Sequence, residues 1–390
     1  MKYKRKFSAS SAAPFWRSLE AIKFALASCA VALSLAASAM TGSFDGIKTV
    51  FVVAMENHDW ETIKGSDYCP YINQTLLAMA SYAENYNTPA GLHPSEPNYI
   101  WMEAGTNFGI FDDKGVGVNH LKATNHLVSL LHRAGISWKS YQENIDGSYC
   151  PAHDNYPYTS RHNPFVFFDD VTADESYCIN HIRPFYELRA DLKANTVARY
   201  NFITPNLTNI MHDLVPGSPS SRSQGDNWLA KEIPKILASA AYQEGGVIFI
   251  VWDEGSGEIN DGPIGLIVLS PLAKGNGYSN QIHYTHSSLL RTLEEIFQVR
   301  PLLRDAANAK DLSDLFRTVR FSSADLTGDA QAVLVLSGVP VGKSLVLESS
   351  IDLTAWISVQ TNSSLTGNLI FRQPTATDAV STFFRVRQLP

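Results

Sequence analysis

Cysteine is scarce in this 390-residue chain: there are four, none in a Cys-x-x-Cys pair, and the 11 histidines include no His-x-x-x-His pair. Zinc sites built on thiolate or imidazole show such spacings, so nothing here argues for one. Positive charge is also short, with 31 Lys and Arg against 38 Asp and Glu and a net charge of −7. Nucleic acid and anionic membrane surfaces are poor partners for such a chain. Long apolar runs are missing as well. The one at 24–36 has about 13 residues where a bilayer span needs ~20. There is no internal repeat and no long low-complexity linker. What the chain does have is bulk: 45% hydrophobic residues suffice for one large core and a small second domain.

The apolar run at 24–36 follows Lys2, Lys4, Arg5, Lys6, Arg17 and Lys23 and precedes Ala37-Ser38-Ala39. A basic segment, a short hydrophobic segment and a small-x-small site form a secretory signal, with cleavage expected near Ala39 and a secreted or periplasmic product without a transmembrane anchor. Leu26-Ala27-Ser28-Cys29 matches a lipoprotein box by letters, but its hydrophobic stretch lies mostly after the cysteine. Loss of 1–39 moves the net charge to −12. Cys69, Cys150 and Cys178 then remain, and in an exported protein two of the three are expected to pair. Cys150 with Cys178 would staple the loop carrying His162 and leave Cys69 free or intermolecular; the other pairings stay open.

Two strand-like runs end abruptly in acids. Residues 47–55 are almost wholly apolar and run into Glu56-Asn57-His58-Asp59; residues 246–252 run into Asp253-Glu254-Gly255. Such runs read as buried parallel strands delivering polar groups at their carboxyl ends, where open α/β sheets place their sites. Each acidic pair also reads as a helix cap or a solvated turn. Ser95, in His93-Pro94-Ser95-Glu96-Pro97-Asn98-Tyr99, enters a helix-compatible run at 98–104. A hydroxyl there can attack a phosphate held by the helix N-terminus, or simply cap the helix. Two acidic strand ends beside one serine turn favour the site.

Six motifs then follow in order: Met55-Glu56-Asn57-His58, His93-Pro94-Ser95-x-Pro97-Asn98-Tyr99, Arg161-His162-Asn163-Pro164-Phe165, Pro205-Asn206 with Met211-His212-Asp213, Trp252-Asp253-Glu254, and His286-Ser287-Ser288-Leu289-Leu290-Arg291. Together they resemble the bacterial phosphoesterase family of secreted acid phosphatases and phospholipase C enzymes, within the alkaline phosphatase-like superfamily, over about residues 46–300. The serine turn also looks like the Thr-x-Pro-Asn nucleophile turn of nucleotide pyrophosphatases. The Cys-x-Pro-x-Arg setting of a sulfatase is absent. The resemblance implies that Ser95 is nucleophile and metal ligand, with Glu56, Asn57, Asp253 and Glu254 as the other ligands. It implies that Asn98, His162 and His212 hold the phosphoryl oxygens, with His286 a further candidate. His212 is favoured as general acid, with His162 and His286 as alternatives. The oxygen-rich donor set suits one divalent cation, Ca²⁺, Mg²⁺ or Mn²⁺ rather than Zn²⁺. Where the family tends to carry two adjacent histidines, this chain has Arg161-His162. His58, His93, His120 and His181 read as structural or surface residues, His93 being the likeliest exception. Tyr141-Gln142-Glu143-Asn144 reads equally as pocket wall or turn.

Strands are expected at 50–55, 136–141, 200–204, 247–252 and 264–269, with amphipathic helices at 227–241 and 287–297. The alternation is that of an α/β domain with a mostly parallel sheet flanked by helices, spanning 40–316 after the signal peptide at 1–39. From 317 to 390 short alternating segments (332–336, 344–347, 356–360, 368–372 and 382–386) separated by Gly, Ser, Thr and Asn imply a small β-sandwich. This module either binds a surface or carbohydrate or merely stabilises. The functional expectation is a secreted, metal-dependent phosphoric ester hydrolase of acid phosphatase type acting through phosphoserine. The alternatives are a phospholipase C-type phosphodiesterase and a non-catalytic surface-binding protein. The substrate is a small phosphate ester or a phospholipid head group.

Overall fold

The computed structural model describes residues 44–388 except Ala90 and the segments 258–260, 318–319, 328–330, 340–343, 365–366 and 375–381. The signal-peptide segment and Cys29 lie outside the described residues. Chain contacts divide the described residues into one unit ending at Arg317 and another beginning at Thr318.

The larger unit is built on an eight-stranded sheet. Its strands are β1 (Thr49–Met55), β2 (Ser81–Ala83), β4 (Trp138–Gln142), β5 (Ile182–Pro184), β6 (Tyr200–Thr204), β7 (Gly246–Trp252), β8 (Leu266–Leu269) and β9 (Tyr278–Asn280), in the order β5-β4-β6-β1-β7-β8-β2-β9. The first five strands in that order are parallel, β8 is antiparallel to both its neighbours, and β2 pairs parallel with β9. A two-stranded ladder joins β3 (Tyr86–Asn87) to β10 (Tyr284–Thr285). The central pair is buried on both faces: every residue of β7 and all of β1 but Thr49. That explains why these strands read as unbroken apolar runs. Truncating one such side chain, Ile250→Ala for example, costs about 2–5 kcal/mol. The three-residue strands β2, β5 and β9 are too short to show a pattern of their own and have no counterpart among the expected strands.

Six longer helices flank the sheet: α1 (Ser95–Ala104), α2 (Leu127–Arg133), α3 (Glu175–His181), α4 (Leu188–Ala194), α5 (Ser221–Leu237) and α6 (His286–Phe297). Two differ from expectation. Helix α1 begins at Ser95 rather than 98, with Pro94 as its N-cap. Helix α5 begins at Ser221 rather than 227, because Ser220 caps it by accepting the Arg222 N–H at 3.2 Å. The polar stretch before Asn227 conceals the first turns. α1, α2 and α6 pack together, as do α4 and α5. Cys150 and Cys178 form a disulfide, and Cys69 is a buried free thiol.

The smaller unit holds two three-stranded antiparallel sheets. One has the order β11-β12-β15, from Arg320–Leu326, Gln331–Ser337 and Asn368–Pro374; the other has β14-β13-β16, from Ile357–Ser363, Ser344–Ser350 and Phe383–Gln388. Leu334 and Phe371 from the first sheet and Leu347 and Phe384 from the second share one core, which makes a sandwich. Only β11 had no counterpart in the sequence reading.

Candidate active site

The carboxyl ends of β1 and β7 lie side by side, because the two strands pair in register from Thr49 opposite Gly246 to Met55 opposite Trp252. The next residues of each, Glu56 and Asp253-Glu254, therefore emerge together. The N-terminus of α1 meets them. Ser95 Oγ lies 3.3 Å from Glu56 Oε2 and 3.4 Å from Glu254 Oε1. Pro94 is the N-cap of α1 and Ser95 its first residue, and the hydroxyl faces the two acids.

The electrostatics are unfavourable as they stand. Glu56 and Asp253 are fully buried, and Glu56 Oε1 and both Asp253 carboxylate oxygens have no hydrogen-bond partner. Burial, with Glu254 adding repulsion, pushes Glu56 up to about 8. Burial and the Glu56 charge raise Asp253 far above the carboxylate range, and burial followed by Asp253 pushes Glu254 up to about 9. Three adjacent buried carboxylates cannot all be charged unless a cation joins them. Half-buried Asn57 adds an amide. Carboxylate, amide and hydroxyl oxygens with unused lone pairs fit a hard divalent ion by chemistry. Among the described residues, however, no three His, Cys, Asp or Glu side chains already stand in a metal-binding arrangement. The fit therefore lies in the donors and their orphaned oxygens.

The histidines separate clearly. His162, 2% exposed, stacks on Tyr99 with ring centroids 5.1 Å apart and points Nε2 at Glu56 Oε1, 3.1 Å away, but neither ring nitrogen has a hydrogen bond of good geometry. Burial, then Arg161 and His212, holds it neutral, well below the usual imidazole range. His212 sits 6.1 Å from it, centroid to centroid, with 29% of its side chain exposed and Nδ1 2.7 Å from Asp213 Oδ1. That contact leaves Nε2 available. His286 is different: its Nε2 donates to the Asp253 carbonyl at 2.6 Å and its Nδ1 meets Tyr86 Oη at 3.1 Å. With both nitrogens engaged and the ring fully buried, it braces the strand end and has none left for a phosphoryl oxygen. Asn98 Nδ2 donates to Glu254 Oε2 at 3.0 Å and to the Leu92 carbonyl at 3.0 Å, so its amide reaches the carboxylates rather than open space.

A family model described as the Phosphoesterase family matches residues 69–300. The chain belongs to that family. Its match to a probable acid phosphatase of Kluyveromyces lactis is 24% identical over 72% of this chain and 65% of that protein. A phosphatidylinositol-3-phosphatase of Mycobacterium tuberculosis is 28% identical over 68% of this chain and 82% of its own length. An acid phosphatase of Aspergillus fumigatus is 27% identical over 62% of this chain and 53% of its own. The chain thus spans only part of these relatives. Among solved structures it is similar to a protein in the alkaline phosphatase superfamily from Vibrio parahaemolyticus, with a TM-score of 0.48 and 9% identity over 88% of this chain and 91% of that one.

The fold also brings to the site residues that the sequence assigns to structural or surface roles. His93 bridges two acids, Nδ1 lying 3.1 Å from Glu254 Oε2 and Nε2 2.8 Å from Asp261 Oδ2. Asp261 accepts the Gly255 N–H at 2.9 Å, and Asp59 accepts the Gly262 N–H at 3.0 Å and the Ser256 hydroxyl at 2.6 Å. Together they fix the loop after Asp253-Glu254. The position of His93 two residues before Ser95 was the available signal. Behind His212, Glu143 accepts the Asn206 N–H and the Asn209 amide, both at 2.9 Å from Oε2. The Tyr141-to-Asn144 segment is therefore a brace for the His212 loop. Met211 holds φ 84°, and a side chain on Gly225 of α5 would run into Met211, so α5 approaches this loop as closely as glycine permits. A roomier cavity of about 650 Å³ near Glu143, Tyr186 and Lys235 contains none of Ser95, Glu56, Asp253 or Glu254.

Proposed function

We propose that this chain is a metal-dependent phosphoric monoester hydrolase of the alkaline phosphatase-like superfamily, acting through a phosphoserine on Ser95. The observation that carries the reading is the Ser95 hydroxyl set between Glu56 and Glu254 at a helix N-terminus, beside Asp253 oxygens that have no partner. The family and its acid phosphatase relatives support the same reaction class. A divalent cation held by Glu56, Asn57, Ser95, Asp253 and Glu254 would neutralise the cluster, polarise the phosphoryl group and favour the serine alkoxide.

The chain's own groups then divide the work. Ser95 Oγ forms the bond to phosphorus and passes its proton towards the carboxylates it faces. The bond from phosphorus to the ester oxygen breaks, and His212 Nε2 gives that oxygen a proton while Asp213 holds the ring. Neutral His162 donates to an equatorial oxygen, where negative charge is shared in the transition state, while Asn98 spends its amide on Glu254 and holds that carboxylate in place. Water next attacks phosphorus and gives a proton to His212; the bond from phosphorus to Ser95 Oγ breaks, phosphate leaves, and the carboxylates that took the serine proton return it to Oγ. His212 is favoured as the acid because it is solvent-accessible with one nitrogen oriented and the other available.

One observation favours a second reading, a phospholipase C-type phosphodiesterase: Leu214 and Val215, just beyond His212-Asp213, are 59% and 42% exposed. Export is supported by the N-terminal basic and apolar pattern and by the Cys150–Cys178 disulfide. The deciding experiment is hydrolysis of a monoester, a diester and phosphatidylcholine by the purified protein, with and without chelator. Monoester turnover lost with chelator and regained with Ca²⁺, Mg²⁺ or Mn²⁺ is expected. Turnover that withstands thorough chelation defeats metal dependence, and preference for phosphatidylcholine selects the second reading.

A further inference from the structure

Beside the proposed phosphoryl centre lies a separate cavity of about 310 Å³, with Asp113, Lys114, His153, Asp154, Ser160 and Arg161 in its wall. It starts one residue from the nucleophile, because Asp113 Oδ1 accepts the N–H of Glu96 at 2.9 Å. Arg161 joins the two regions. It lines the cavity and immediately precedes His162, whose Nε2 lies 3.1 Å from Glu56 Oε1, so one short segment spans both.

The acids of the wall are already engaged. Asp154 Oδ1 accepts the Ser160 N–H at 2.7 Å, the Ser160 hydroxyl at 2.9 Å and the Thr159 hydroxyl at 3.0 Å. Lys114 pairs with Asp112. Arg161 is not satisfied in this way: its approach to Asp113 Oδ2 is 3.7 Å, too long for a hydrogen bond, and its buried Nε has no acceptor. A partly buried guanidinium with unused donors is suited to a planar carboxylate or a phosphate.

We propose that Arg161 and this cavity form a subsite for a second anionic group on the substrate, a carboxylate or further phosphate carried by the alcohol portion of the ester. The inference rests on the hydrolase reading and narrows its substrate class. A simpler role for Arg161 is to offset the acidic cluster, which would help all substrates equally. The subsite discriminates among them.

The test compares kcat/KM for 3-phosphoglycerate and glycerol 1-phosphate, which differ by a carboxylate in place of a hydroxymethyl group. The wild type should favour 3-phosphoglycerate by about 10-fold, the worth of one charge-assisted contact. In Arg161→Gln the ratio should fall to near one, and Arg161→Lys, which keeps the charge but loses the fork, should retain part of it. A wild-type ratio near one, or a ratio unchanged in Arg161→Gln, overturns the subsite. Failure of the wild type to hydrolyse either compound or 4-nitrophenyl phosphate under any metal condition overturns the hydrolase reading instead.

Discussion

Helix α1 has a buried acid cluster at each end, and the two are solved in opposite ways. At its C-terminal end Glu103 Oε1 accepts the Val128 N–H at 2.7 Å and stands 2.8 Å from His126 Nδ1, while His126 Nε2 is 2.9 Å from Asp170 Oδ1. The fully buried His126 ring also stacks on Phe168 at 3.9 Å. Burial alone would lower His126; the Asp170 and Glu103 contacts overcome it and keep it above its ordinary value. At the N-terminal end Glu56 and Asp253 are as deeply buried, yet Glu56 Oε1 and both Asp253 oxygens have no hydrogen-bond partner. The first cluster has a cationic ring between its acids. Under the proposed function the second would take its main counter-charge from a bound cation, which is how a binding site differs from a structural clamp of similar composition.

The largest effect should come from Ser95→Ala, which removes the proposed nucleophile and should lower kcat/KM for a monoester by ~10⁴-fold or more. Unfolding free energy should move by no more than about 1 kcal/mol, the scale of a lost capping hydroxyl. Activity near wild type with an intact fold would displace Ser95 from the mechanism. Next in size, Asp253→Asn should reduce metal binding and turnover together by ~10²-fold or more, since it deletes an anionic ligand. In metal-free protein the same change should raise the melting temperature near neutral pH, because folding must keep the buried Asp253 carboxyl protonated while the unfolded chain ionises it, a cost an amide does not carry. Lowered metal-free stability would refute the contrast between the two clusters.

The sign of the pH dependence follows from the same contrast. Glu56 at about 8 and Glu254 at about 9 bind protons in the folded state that the unfolded chain, near 4.5, has released. Between those values metal-free protein should lose stability as pH rises, and bound metal should flatten the slope. Thermal melts from pH 5 to 9 with and without chelator measure this directly. A smaller, selective effect is expected for His212→Ala: a loss of ~10²- to 10⁴-fold on alkyl phosphates against little on aryl esters. Equal losses on both would leave His212 as a phosphate ligand and open the acid role to His162. Smallest for catalysis is His126→Gln, which should cost about 3 kcal/mol of stability by stranding the buried Glu103. Its kcat/KM well below the melting temperature should change by less than about 3-fold, because α1 is anchored at its other end as well.

How far the sequence could be read depended on how local the information was. β1 and β7 were legible because burial on both faces leaves an unbroken apolar run, and their polar exits followed at once. Ser95 was legible through its turn. Asp59, Asp261 and the Glu103–His126–Asp170 clamp were not, because their partners include residues far away in the chain, Gly262 for Asp59, His93 for Asp261 and Asp170 for His126. β2, β5 and β9 are three residues long and take their conformation from neighbouring strands rather than from a pattern of their own. The engaged nitrogens of His286 were equally invisible, since only the folded chain brings Tyr86 and the Asp253 carbonyl against it.

Strand β8 runs antiparallel to β7, pairing Val251 with Leu266 and Ile248 with Leu269. The segment between them therefore leaves and re-enters the sheet at the same edge, beside the proposed metal ligands. Its two feet are tied down, Gly255 to Asp261 and Gly262 to Asp59. Ties on either side of the connection give the acids at the end of β7 a fixed footing: a change of length inserted between Gly257 and Asp261 should leave the register of β7 with β8, and the positions of Glu56 and Asp253, as they are.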